Sequence, residues 1–495
     1  MGIWTSQVQP AVAATWSVSK VVSGLTGASV AQVDGRRILF TSGTAQARDV
    51  WLYEIGAATA RKLDERPFAD PLHCTPQMNA SYVVYAAAAD GQDYNIYLYD
   101  MLASSTKSLT ADTKGNFEPH ISGDYVAYVS GQGAGAGLML YQISTGKKSA
   151  VTIKDVSWDG VSGLSLDGGY LTWTAAHAAG AGARDSDVFV YDISKQQTAR
   201  IYSDLLDGTA QVSADRVIWQ NSDSAGSVSS VRMYEPTAGG RITVLSGDEP
   251  DAFLEAGAPG TFVDASHVAW LSRPAGGLGG LVRLHGFADG LDKVLGSSAF
   301  CRNPQVGGTA VAWTGSNDGV DWGDVFAYDI PSAVTSQLTG QAVGDRPPKD
   351  GEGGPVVVAG AGNVAWVGTG RESLFLASSS ALPSAGQPFA DVTGANPYQI
   401  AVDALFWRGI VSGHRFSNGQ RFFDPAEPVN RAQFAKMIVG TLGVPIEPEG
   451  ARVPFTDLGA DVADDAYPHE YVATVWSYGI TQGISASSYG PWRSI

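Results

Sequence analysis

Side chains able to bind a metal recur at one place in a repeated pattern. Asp49, Asn95, Asp187 and Asp324 each stand just before an apolar, strand-like run, with Asp90, Asp93, Asp185, Asp318 and Asp321 nearby. Oxygen-rich loops of this kind suit calcium, which takes about six to eight oxygen ligands. Asp318, Asp321 and Asp324 make the best single set, and calcium is the one cofactor the sequence suggests. The plainer use of these residues is structural, because Asp and Asn in a hairpin accept hydrogen bonds from nearby backbone amides. A role repeated in every unit is architectural first.

A different chemistry is written near the C-terminus. Asn430 and Gln433 form an Asn-x-x-Gln capping box, opening a helix whose apolar face is Phe434, Ile438 and Leu442. Arg431 between them opposes the helix dipole. It reads as an anion site, a guanidinium beside free helix amides that forks onto a carboxylate. Catalytic signatures are missing: no Gly-x-Ser-x-Gly elbow and no His-Glu-x-x-His pair occurs, and the seven histidines are scattered. Structural roles account for His120, His267 and His285, so the expectation is a protein that is not an enzyme.

The elements that position these residues follow from composition and repeats. The chain has 495 residues, 32 Lys+Arg against 49 Asp+Glu and a formal net charge of −17. That balance argues against nucleic acid and against an anionic membrane surface as partners. Cys74 and Cys301 are too few for a disulfide framework or a four-cysteine zinc site, and are expected as buried free thiols. No apolar run reaches the roughly 18 residues of a membrane span. Residues 1–14 contain Ala11-Val12-Ala13, so they read either as the tail of a secretory signal or as a flexible leader.

One triplet, apolar-x-aromatic, recurs eight times and places its aromatic at positions 40, 85, 128, 173, 219, 270, 313 and 366. A period in the forties with strand-like alternation marks a propeller of four-stranded blades rather than a helical solenoid. A second strand in each unit ends in a tyrosine, at 53, 99, 141, 191, 234 and 328, with His285 and Ala377 in the other two. The eighth unit lacks an outer strand, and Ser17 to Val22 supplies a spare one. Pairing the two closes the ring and leaves no open edge. The expectation is eight blades, or seven if the His285 unit is an insertion.

The alternation of Pro-x-Ile-Ser-Gly, Val-Ala-Tyr/Trp and Asp-x-Tyr-x-Tyr-Asp resembles the TolB-like and WD-repeat-like propellers of bacterial envelope proteins, over residues 15–377. This resemblance implies a fold and no particular ligand.

After a linker at 378–387 the periodicity turns helical. Phe389-Ala390-Asp391-Val392, Trp407, Gly409-Ile410-Val411-Ser412-Gly413, Phe423-Asp424-Pro425 and Asn430-Arg431-Ala432-Gln433 follow in the order of an S-layer homology repeat, which residues 388–445 resemble. Residues 454–495 resemble a second, truncated copy that opens at Phe455-Thr456-Asp457. By that resemblance Arg431, Asn430, Gln433, Trp407, Gly409, Gly413 and Asp391 contact a pyruvylated secondary cell-wall polysaccharide. The family motif is Thr-Arg-Ala-Glu, and Asn and Gln stand here for its first and last members. The function implied is an extracellular bacterial surface protein, anchored to the wall and not embedded in membrane, whose propeller binds a protein or glycan. The alternatives are a surface polysaccharide lyase or hydrolase using the propeller mouth, and a structural S-layer subunit.

Overall fold

Short apolar runs in each repeat form strands, several of them buried along their whole length, such as Ala310–Gly315 and Asn363–Val367, and four strands zip into a blade. In this computed structural model the described residues are 16–44, 47–68, 75–88, 93–131, 136–151, 162–178, 184–201, 206–222, 229–247, 252–254, 261–272, 280–287, 290–296, 301–316, 323–340, 346–347, 357–360, 362–379, 389–392, 402, 405–406, 410–411, 413–415, 421–442, 446–447, 450–459 and 467–495. The chain divides into two compact units, Met1–Ala385 and Gly386–Ile495.

The first unit is an eight-bladed propeller of four-stranded antiparallel sheets. Its eight triplet aromatics, Phe40, Tyr85, Tyr128, Trp173, Trp219, Trp270, Trp313 and Trp366, are all among the largest fully buried side chains. Each contributes on the order of 2–3 kcal/mol of burial. In five blades the partner across the ladder is also aromatic, and the rings stack: Phe40 on Trp51, Tyr85 on Tyr97, Trp173 on Phe189, Trp313 on Phe326 and Trp366 on Phe375. Trp219 and Trp270 instead oppose Arg232 and Arg283.

One register runs through every blade. The first residue of each triplet stands opposite the repeated tyrosine, as Ile38 does Tyr53 and Val311 does Tyr328. Val268 stands opposite His285 in the same way, and Val364 opposite Ala377. The His285 unit is therefore a whole blade, built from Ala252–Phe253, His267–Ser272, Leu281–Gly286 and Asp292–Gly296, and the seven-blade alternative falls.

Closure uses both ends of the repeat array. Trp16–Ser23 is the outer strand of the last blade and pairs with Ser373–Ser379, Val18 opposite Ala377. At the same seam Asn363 Nδ2 donates to the Asp34 carbonyl at 3.1 Å and the Ala28 amide to the Arg371 carbonyl at 2.9 Å. Gly360 lies so close to the Val33 carbonyl that a Cβ would collide with it, so the last and first blades touch backbone to backbone.

In the second unit α1 (Arg431–Leu442) and α2 (His469–Ser477) pack around Ala435, Val439, Phe455, Leu458, Val472, Val475 and Tyr489. A short sheet pairs His414–Arg415 with Arg421–Phe422. No helix among the described residues is long and apolar enough to cross a membrane.

Candidate functional site

The innermost strand of a blade is a sheet edge, so its outward amides need partners from elsewhere. The neighbouring blade supplies them. Gln32 Oε1 accepts the Met78 amide at 2.8 Å, Gln77 Oε1 the Ile121 amide at 3.4 Å, Ser165 Oγ the Val212 amide at 3.1 Å and Gln211 Oε1 the Phe262 amide at 3.1 Å. These donors and acceptors occupy one register position. Gln32, Gln77, His120, Ser165, Gln211 and Gln305 all stand opposite the middle residue of their triplet. Six of the eight blades thus carry an uncharged polar side chain at one place in the innermost strand, whereas the last blade has the buried Val358 there, opposite Ala365.

His120 fits that pattern as a neutral group. Gln77 gives its carbonyl oxygen to a backbone amide, so its amino end faces His120 Nδ1 at 2.9 Å and donates to it. The ring proton then belongs on Nε2. Burial pushes the His120 pKa down to about 4.

The repeated carboxylates and amides are held by the blades themselves. Asn95 Oδ1 accepts the Thr110 hydroxyl, and Thr110 Oγ1 accepts the Ile96 amide, all at 2.9 Å. Asp324 does the same with Thr339, whose oxygen accepts the Val325 amide at 3.2 Å, and Asp324 also lies 3.5 Å from Arg346. In two other blades the partner is a cation on the outer strand, Lys62 for Asp49 and Arg200 for the buried Asp187. Asp318 and Asp321 of the calcium set lie outside the described residues. Among the described residues no group of three or more His, Cys, Asp or Glu could hold a metal ion. Cys301 is buried, and Cys74 lies outside the described residues.

The second unit contains one motif twice. Asp391 accepts the amides of Phe423 and Asp424 at 2.8 and 2.7 Å, and Asp457 those of Tyr489 and Gly490 at 2.8 and 2.9 Å. Burial works against the Asp457 carboxylate, but the Ser488 hydroxyl and these two amides outweigh it and hold its pKa below the usual range. A Cβ on Gly413 would strike the Phe389 ring and the Phe422 carbonyl, and one on Gly483 the Phe455 ring and the Ser488 carbonyl. The Ile410 amide reaches the Leu405 carbonyl as the Ile480 amide reaches Val475.

Arg431 lies between the two copies. Its Nε donates to the Tyr489 carbonyl at 2.9 Å and its Nη2 to that of Gln482 at 2.7 Å, with the guanidinium carbon 4.4 Å from the centre of the Tyr489 ring. This cation, which the helix dipole does not favour, is thus accounted for by contacts between the modules. Asn430 and Gln433 complete the capping box reciprocally, amide to side-chain oxygen in both directions, at 2.9 and 2.8 Å. The helix amides read as free are occupied: the Arg431 amide donates to the Arg493 carbonyl and the Ala432 amide to that of Pro491. What is left to an anion is the Nη1 side of the guanidinium, since Nε and one Nη2 hydrogen are spent on the two carbonyls. Trp407 and Gly409 lie outside the described residues.

The fold is shared with solved propellers. Similar structures include dipeptidyl peptidase 4 of Porphyromonas gingivalis, at 10% identity over 71% of this chain and 57% of that one, with a TM-score of 0.47. An oligogalacturonate lyase in complex with manganese is similar at 13% identity over 69% of this chain and 96% of that one, TM-score 0.43. TolB from Acinetobacter baumannii is similar at 15% identity over 68% and 86%, TM-score 0.32. The chain spans little more than half of the dipeptidyl peptidase. At such identities the likeness is one of fold alone. No protein-family model matches the chain, and no curated protein matches it significantly.

These structures correct one expectation. The lack of hydrolase motifs led to a reading of the chain as no enzyme, yet propellers of this fold belong to peptidases and to a lyase. The sequence reading also passed over the inner-strand polar residues, although Pro76-Gln77, Pro119-His120 and Pro304-Gln305 carry their signal, a polar residue at one fixed place in the inner strand.

Proposed function

We propose that the chain is an exported bacterial surface protein in which the C-terminal unit binds a pyruvylated secondary cell-wall polysaccharide and the propeller is displayed to a protein or glycan partner. The observation that supports the anchor is the repeated skeleton of Asp391 and Asp457, Gly413 and Gly483, with Arg431 at the junction of the two copies. Those are the positions at which the sequence resembles S-layer homology repeats. The guanidinium beside the Gln482-Gly483 turn offers a carboxylate a charge-assisted contact.

Sedimentation of the full chain with purified wall polysaccharide, intact and stripped of pyruvate, tests the anchor. Binding to the intact polymer alone is expected, and Arg431→Lys should weaken it at least tenfold, measured well below the variant's own thermal midpoint, which also falls because the guanidinium bridges the Tyr489 and Gln482 carbonyls. Equal recovery with both polymers, or none with either, removes the reading.

A further inference from the structure

Two arginines bridge the same pair of segments in the second copy of the motif. Arg431 reaches the Gln482 carbonyl with Nη2 at 2.7 Å and the Tyr489 carbonyl with Nε at 2.9 Å. One residue farther along both segments, the stem of Arg493 meets the Ile484 side chain over Gly490, where an added Cβ would lie 2.9 Å from Arg493 Cδ and 3.1 Å from Ile484 Cδ1. The backbones are tied as well. The Arg431 amide donates to the Arg493 carbonyl at 2.9 Å, the Arg493 amide to the Gly490 carbonyl at 3.1 Å and the Ile495 amide to the Val429 carbonyl at 3.0 Å, with Asn430 and Ser494 bridged between them. Only one of the two cations is used. Arg493 is exposed, and among the described residues its guanidinium has no hydrogen-bond or ion-pair partner. A free cation drifts away from a like charge, but this one is held beside Arg431 by its stapled backbone and its packed stem. That cost disappears when both face one anion.

We propose that Arg493 is a second ligand-binding residue of the anchor, and that its guanidinium and the Nη1 side of Arg431 share one carboxylate of the wall polysaccharide, one oxygen to each. This deepens the anchor reading above and rests on it. Arg431 has spent two of its donor directions on carbonyls, so a second guanidinium restores the two-point contact that a carboxylate accepts. The field of a chain of net charge −17 repels an acidic polymer, which makes a local pair of cations the more necessary. Because the stem of Arg493 is already packed, little rotamer freedom is lost on binding. A phosphodiester offers the same pair of oxygens, and removing pyruvate from the polymer separates the two sources.

Sedimentation of the full chain with intact wall polysaccharide, carried out on Arg493→Gln and Arg452→Gln beside the parent, tests this. Glutamine keeps the stem that covers Gly490 and removes only the unpartnered guanidinium, so the thermal midpoint should hold while binding weakens about fivefold or more. Arg452 is an exposed arginine of the same unit, and its loss changes the net charge equally. Arg452→Gln should bind as the parent does. Intact polymer, and not polymer stripped of pyruvate, should also protect Arg493 from phenylglyoxal, read by mass spectrometry of its peptide. Parent-like binding by Arg493→Gln overturns the proposal and leaves the anchor reading standing. Equal losses in the two variants overturn it in favour of net charge, and protection by the stripped polymer overturns it in favour of a phosphate. If the parent binds neither polymer, both readings fall.

Discussion

Lys293 donates its ammonium to the Tyr328 hydroxyl at 2.8 Å and lies 4.8 Å from the centre of the same ring. Lys293 belongs to the outer strand of one blade and Tyr328 to the third strand of the next, and Lys107 with Tyr141 repeats the arrangement at 3.0 and 5.7 Å. Arg61 sits over Tyr99 in the same sense. The repeated tyrosine thus earns its place twice, as core body within its blade and as a polar handle for its neighbour.

Removing that handle should loosen one blade junction. Tyr328→Phe is expected to cost about 1 kcal/mol, and Lys293→Met a similar amount, with a coupling of about 0.5–1 kcal/mol in the double-mutant cycle. Urea unfolding of the four variants gives the numbers. Strict additivity would mean that the contact contributes nothing.

Ring closure makes a second expectation. Deleting residues 1–23 removes the Trp16–Ser23 strand and bares the Ser373–Ser379 edge. An uncovered edge is a template for pairing with another chain. The shortened protein should unfold at lower urea and associate in sedimentation velocity. A monodisperse protein with the parent's midpoint would show that the strand does not close the ring.

His120 sets a pH dependence with a definite sign. Its folded pKa, lowered to about 4 by burial, lies below the ordinary value of 6.5, so between those values the unfolded chain holds the extra proton. Stability from this group is complete above pH 6.5 and falls as the pH drops toward 4, by about 3 kcal/mol in all. Comparing urea midpoints of the parent and His120→Gln at pH 7.5 and 4.5 isolates it from the carboxylates. The parent should lose more than the variant. Parallel losses would assign the acid sensitivity elsewhere.

Much of this molecule is legible in the chain because its rules are local and repeated. The apolar-x-aromatic triplet fixed the position of each blade's second strand, and the tyrosine at the third fixed the register; even the spare N-terminal strand was visible as a count that did not balance. The Asn430 and Gln433 capping box needed only their spacing of three. Partners that come from another blade or module were not legible. Whether Asp324 meets calcium or Thr339, and whether Arg431 meets an anion or the carbonyls of Gln482 and Tyr489, depends on chain segments brought together by folding.

The same boundary runs along the innermost strands. Sequence put a glutamine, a histidine or a serine at one place in the inner strand, since periodicity alone assigns a residue to a face. Only the tertiary structure decided which end of each side chain is spent, because the amide that consumes the Gln32 oxygen belongs to a strand some 45 residues farther on, where Met78 lies in the next blade. Local pattern chooses the element and its face, whereas the pairing of polar groups is settled by whichever neighbour the closed ring sets beside them.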